Sequence, residues 1–200
     1  MNSRVVFERF VPKGAVDYCD ELYQNLGFEF KIKKGRLTKL GDYRFIRKTK
    51  EHIITINNDL NPFAFLITYL HEVAHLITYN EFKGRVSPHG KEWKQHFTVL
   101  AQPMLNQEVF PPPILIALNS YFKNPKASSC SDPHLFKTLR LFDEPSNRIT
   151  LEEIPPGKEF RFNKRVFIKE EKKRTRWICS ETASKRKYLI PSIAEVELLN

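Results

Sequence analysis

One stretch, Asn61 to Phe97, limits what this chain can be: NPFAFLITYLHEVAHLITYNEFKGRVSPHGKEWKQHF. Its first part is too apolar for a surface helix. Ala64, Phe65, Leu66, Ile67, Leu70, Val73, Ala74, Leu76 and Ile77 leave almost no polar face, so the helix belongs in a core. Asn61 suits the N-cap, and Pro62 suits the first helical position, where a missing N–H costs nothing. Inside this helix stand His71, Glu72 and His75, an HExxH arrangement. Side chains at i and i+4 share a helical face, so the two imidazoles can grip one zinc ion while Glu72 borders an open coordination position. A metal with water satisfies three polar groups that burial would otherwise penalise.

A catalytic zinc takes a third protein ligand and keeps a fourth position for water. The continuation Gly at the third and His at the sixth residue after the second His is absent, because Thr78 and Glu81 occupy those places. His89, in SPHGKEW, is the favoured third ligand. Gly84 can turn the chain back, and Ser87, Pro88 and Gly90 form a turn into a helix carrying Trp93, Phe97 and Leu100 at helical spacing. Glu92 is the rival, which would give a two-His, one-carboxylate site as in thermolysin. His96 and His134 read as packing or surface residues.

The string HEVAHLITYNEFKGRVSPHGKEW resembles the signature of SprT-like zinc metallopeptidases, the group that includes Spartan. Over about residues 1–105 the resemblance implies a zincin-like peptidase domain that holds one Zn²⁺ through His71, His75 and His89. It implies Glu72 as general base and a protein substrate on, or attached to, DNA. Many members carry a cysteine zinc ribbon after the catalytic domain, and this chain has no CxxC.

The three cysteines, Cys19, Cys130 and Cys179, are far apart and odd in number, which fits small core residues in a reducing compartment. The amino terminus lacks the apolar core of a secretory signal, and no run reaches the ~18 apolar residues of a membrane span. A cytoplasmic protein without a membrane partner is expected. The net charge of +10 is concentrated in two places. Residues 31–50 hold nine cations against Asp42, and residues 158–187 hold twelve against four acids. Nucleic-acid phosphate is the commonest target of such clusters. Lys31, Lys33, Lys34, Arg36 and Arg44 in the first and Arg174 and Arg176 in the second are the nucleic-acid-binding candidates, with single-stranded DNA favoured. In the second cluster the cations alternate with Trp177 along one strand, where the two arginines should share a side.

The fold expected is α+β. Residues 1–142 should run through a helix over 12–26, a small antiparallel sheet of three strands with a basic outer face, the HExxH helix, a second helix, and short helices near 114–122 and 135–141. Residues 149–200 should form a small all-β domain, a barrel or curled sheet, with Phe160, Phe162, Val166, Ile168, Trp177 and Tyr188 filling its interior or lining its face. Two functions follow. One is a zinc-dependent endopeptidase of the SprT-like type acting on DNA-bound or DNA-crosslinked proteins. The other is a non-enzymatic nucleic-acid-binding or transcription-associated module with a structural zinc.

Overall fold

A computed structural model of the chain describes residues 3–36, 39–126, 132–144 and 149–199. The chain divides into two compact units, Met1–Asp143 and Glu144–Asn200.

The first unit is built around the longest of its described helices. Helices α1 (Ser3–Phe10) and α2 (Val16–Leu26) precede strands β1 (Glu29–Lys33), β2 (Gly41–Ile46) and β3 (Glu51–Asn57). Then come α3 (Pro62–Phe82), α4 (Lys91–Ala101), α5 (Pro112–Tyr121) and α6 (Pro133–Arg140). The cap on α3 forms as its sequence predicts: Asn61 Oδ1 accepts from the N–H groups of Phe63 (3.1 Å) and Ala64 (2.9 Å). The same side chain uses its Nδ2 to donate to Leu139 O (3.0 Å) and Asp143 Oδ1 (2.6 Å). At the other end Lys83 and Gly84 both take positive φ, 51° and 76°, and turn the chain back toward α4.

Alpha3 is sandwiched. Phe65, Leu66, Tyr69, Val73, Ala74 and Leu76 are all fully buried in the core. On one side Phe7, Phe28 and Phe30 ring Tyr69 at centroid distances of 5.0–6.3 Å, and Tyr69 donates its hydroxyl to Cys19 O at 2.9 Å. On another, α4 presents Trp93, Phe97, Leu100 and Ala101, all buried at one helical stripe. Helix α1 lies outside the sequence expectation; its only wholly buried apolar residue is Phe7, too little periodicity to announce a helix.

The sheet departs from the expectation in direction. Its order is β1-β3-β2, with β2 antiparallel to β3 but β1 parallel to it, so it is mixed rather than antiparallel throughout. Alternation of Phe30 and Ile32 with lysines fixes which faces are apolar, but not which way a neighbour runs. The consequence matters for the site: β2 becomes an edge strand beside α3.

The second unit carries a six-stranded sheet in the order β4-β9-β5-β6-β7-β8, antiparallel at every pairing. Its strands are β4 (Ile149–Thr150), β5 (Glu159–Phe162), β6 (Arg165–Lys173), β7 (Arg176–Glu181), β8 (Lys187–Pro191) and β9 (Glu195–Leu198). The sheet curls, since Glu152 after β4 donates its N–H to Ser192 O just beyond β8 (2.9 Å). Asn163 and Lys164 both take positive φ and make the tight turn expected between β5 and β6.

The interior of this sheet corrects the sequence reading by one residue. Phe167 and Lys169 face inward, with Leu151, Ile154, Phe160, Cys179, Ile190 and Val196, whereas Val166 and Ile168 are only partly covered. RVFIK alternates equally well in either register, and choosing the correct one means burying a lysine. Phe162, Trp177 and Tyr188 pack at the margin of that core. Arg174 is corrected as well: it sits in the turn at φ 57°, outside β7, so it does not share a strand face with Arg176. Cys19 and Cys179 are buried free thiols, and Cys130 lies outside the described residues. Among the described residues no helix is long and apolar enough to cross a membrane.

Candidate metal centre

The turn at Lys83 and Gly84 and the bend at Ser87 to Gly90 return the chain so that His89 meets the two histidines of α3. The three Nε2 atoms converge: His71 to His75 at 3.1 Å, His75 to His89 at 3.0 Å and His89 to His71 at 3.4 Å. Ligands about 2.0–2.1 Å from a tetrahedral zinc lie about 3.3 Å from one another, so this triangle has the size of one face of such a site. These are the residues among those described that group as a possible metal set, and Glu92 is not with them. Burial and mutual proximity drive the His71 imidazole down to about 2, burial and His89 drive His75 down to about 3, and burial lowers His89. All three are therefore neutral near pH 7 and offer lone pairs. The donor set fits a divalent metal of the zinc type.

Trp93 holds the triangle from below. Its ring lies 4.6 Å from His71, 5.3 Å from His75 and 4.8 Å from His89, and its Nε1 donates toward His71 O at 3.4 Å. From the sheet, Tyr43 stacks on His75 at 6.4 Å with an interplanar angle of 10°. The Tyr43 hydroxyl meets His52 Nδ1 at 2.9 Å, and burial raises its pKa. His96 joins the two helices, with Nδ1 2.9 Å from Thr78 Oγ1 and Nε2 3.0 Å from Glu81. His134 is exposed at the start of α6.

Glu72 is only 6 % exposed. Burial first, and then Asp42, push its carboxyl up to about 8, while the Tyr43 backbone N–H that bonds it, Lys39 and Arg36 act in the opposite sense. A cation held by the imidazoles would pull it back toward the ionised form. Gly41 permits the approach of β2, because a Cβ there would stand 2.6 Å from Glu72 Oε1 and 2.7 Å from Thr68 Cγ2. Together these elements line a cleft of about 650 Å³, which includes His71, Glu72, His75, His89, Tyr43 and Tyr79. The sequence reading put Gly41 in a turn and Tyr43 in a strand, but the parts they play at the site, and the reach of Trp93 to all three imidazoles, were absent from it. Only the HG-x-x-W spacing hinted at any of them.

The proposed nucleic-acid residues of the first unit are partly engaged with the protein itself. Lys31 pairs with Glu29 (2.8 Å) and Arg44 with Asp42 (3.0 Å). Arg36 donates through Nε to Asn57 Oδ1 (2.7 Å), whereas Lys33 and Lys34 are exposed.

The SprT-like family model matches residues 13–111. Protein SprT of Vibrio parahaemolyticus serotype O3:K6 (strain RIMD 2210633) is 66% identical over 35 residues, which is 17% of this chain and 21% of that protein. The match therefore spans about a fifth of the relative's length. No solved structure matches the chain.

Proposed function

Belonging to the SprT-like family through residues 13–111, the chain is, we propose, a zinc-dependent endopeptidase with a zincin-like catalytic unit, acting on proteins bound to nucleic acid. The observation that carries the proposal is the triangle of Nε2 atoms at 3.0–3.4 Å beside a buried glutamate in an open cleft. A structural zinc is enclosed by four protein ligands, whereas here three described residues converge and the fourth side faces the cleft. That openness favours hydrolysis over the structural-zinc reading.

His71, His75 and His89 would hold the ion. When bound, zinc supplies Lewis acidity that makes water reactive near neutral pH. The protein's residues do the rest. The unpaired edge of β2 can take an extended peptide as an added strand, with backbone hydrogen bonds that ask little of its sequence. Glu72, fixed by the Tyr43 N–H, takes a proton from the attacking water and delivers it to the leaving nitrogen. Trp93 and Tyr43 keep the imidazoles in place. The basic charge of the chain supports a nucleic-acid-bound substrate.

Glu72→Gln is the test, read as zinc content together with cleavage of a basic DNA-binding protein. One equivalent of zinc with cleavage reduced about 10²–10⁴-fold is expected. Cleavage at the original rate would overturn the proposal.

A further inference from the structure

Strands β6 and β7 meet at a two-residue turn, Arg174-Thr175, closed by Lys173 opposite Arg176. Residues 172–176 read KKRTR, four cations without an acid, and every one of the five is exposed. Folding alone disfavours this tip in two ways. Lys173 and Arg176 are directly opposed like charges, which weaken an antiparallel pair. Arg174 occupies the left-handed region at φ 57°, where glycine or asparagine is accommodated with least strain.

Several other cations of the unit are matched, although Lys158, Lys164 and Lys185 are exposed as well. Arg161 pairs with Glu197 (2.9 Å), Arg165 with Glu181, and Lys187 with Glu170 (3.1 Å). At the tip Lys172 has Glu152 (3.1 Å) and Arg176 donates to Leu189 O (3.3 Å), but among the described residues no acid pairs with Lys173 or Arg174. A register shift between Lys169 and Lys172 marks a bulge behind the tip, a device that re-aims the strand end.

We propose that the β6–β7 tip contacts the phosphodiester backbone of nucleic acid, with Lys173, Arg174 and Arg176 each meeting a phosphate. Phosphates would relieve the like-charge opposition, and guanidinium forks match their oxygens. A lipid surface suits the tip poorly, because it offers no exposed apolar side chain to insert; the unit's exposed Leu189 and Leu198 lie on β8 and β9. Scattered carboxylates of an acidic protein do not reach the charge density of a nucleic-acid backbone. Trp177 has Lys169 Nζ over its ring at 3.6 Å, so the tip offers charge rather than a stacking platform. This contact deepens the nucleic-acid part of the proposed function, and it is read by binding, without hydrolysis.

The test measures binding of the full chain to labelled single-stranded and duplex oligonucleotides between about 50 and 200 mM salt. R174G removes a charge and also relieves the backbone. It should hold or raise the thermal midpoint while lowering affinity roughly 3–10-fold and making the log–log salt slope about one unit shallower. The triple variant K173Q/R174G/R176Q should flatten the slope by about 2–3 units, nearer 0.9 per contact on a duplex and 0.7 on a single strand. Unchanged affinity and slope in the triple variant would overturn the proposal. So would tip-dependent binding to phosphatidylserine vesicles or polyglutamate with none to either oligonucleotide. Casein cleavage by R174G at the unaltered rate keeps the two proposals separable, since failure at the metal site would show there and failure of the tip would not.

Discussion

The protein buries two sets of polar groups in opposite ways. In the first unit three neutral imidazoles crowd their Nε2 atoms together, and buried Glu72 sits beside them. In the second, Lys169 is 1 % exposed, yet its Nζ donates to Ile154 O and to Glu152 O (3.3 Å) and lies against the face of Trp177. One cluster is complete by itself and the other needs something from outside. Burial alone thus says little about function, and the accounting of partners says a great deal.

That contrast predicts opposite signs under mutation. His75→Leu should abolish metal binding and cleavage. In the metal-free protein it should leave the thermal midpoint unchanged or raise it, because an unsatisfied polar ring is replaced by an apolar one. Metal analysis and thermal unfolding in chelator check both halves. A large loss of apoprotein stability would mean that the imidazoles are satisfied internally, and the contrast would break.

Gly41→Ala should cut cleavage about 10²-fold with metal retained, since the added Cβ has to move Glu72 or β2. Lys169→Met should cost about 1–3 kcal/mol in the second unit by leaving two carbonyls without their donor, measured by denaturant unfolding, while casein cleavage stays intact. The smallest effect is one of pH. Burial lowers the pKa of Lys169 from its ordinary 10.5, so the unfolded chain holds this proton more tightly. Its contribution to stability should rise as pH climbs through the lowered value toward 10.5, and Lys169→Met should remove that slope in unfolding titrations.

Much of the site was legible because its determinants are local. Asn61 and Pro62 announce the start of α3, His71 and His75 share a face by spacing alone, and Gly84 with Ser87 to Gly90 marks the turn that brings His89 back. Parts that depend on distant pairing were not legible. Gly41 and Tyr43 acquire their roles from β2 lying against α3, a contact that no periodicity encodes. The direction of β1 is invisible to alternation for the same reason. Lys169 misled the reading of β6 because the rule that lysines face water outranks a register that the sequence leaves ambiguous. Arg174 was placed in a strand because its turn lacks the glycine or asparagine that ordinarily marks one.

Asn61 has a consequence for where the unit that holds the three histidines stops. The family match ends at residue 111, but the cap of the helix that carries His71 and His75 is tied through Asn61 Nδ2 to Leu139 and Asp143. Ile114, Leu118, Leu135 and Leu139 fill the same core. A chain shortened to residue 111 would lose both that tether and those side chains, so the smallest portion able to fold and carry the site extends to about residue 143. The start of one helix thereby sets the length of the domain.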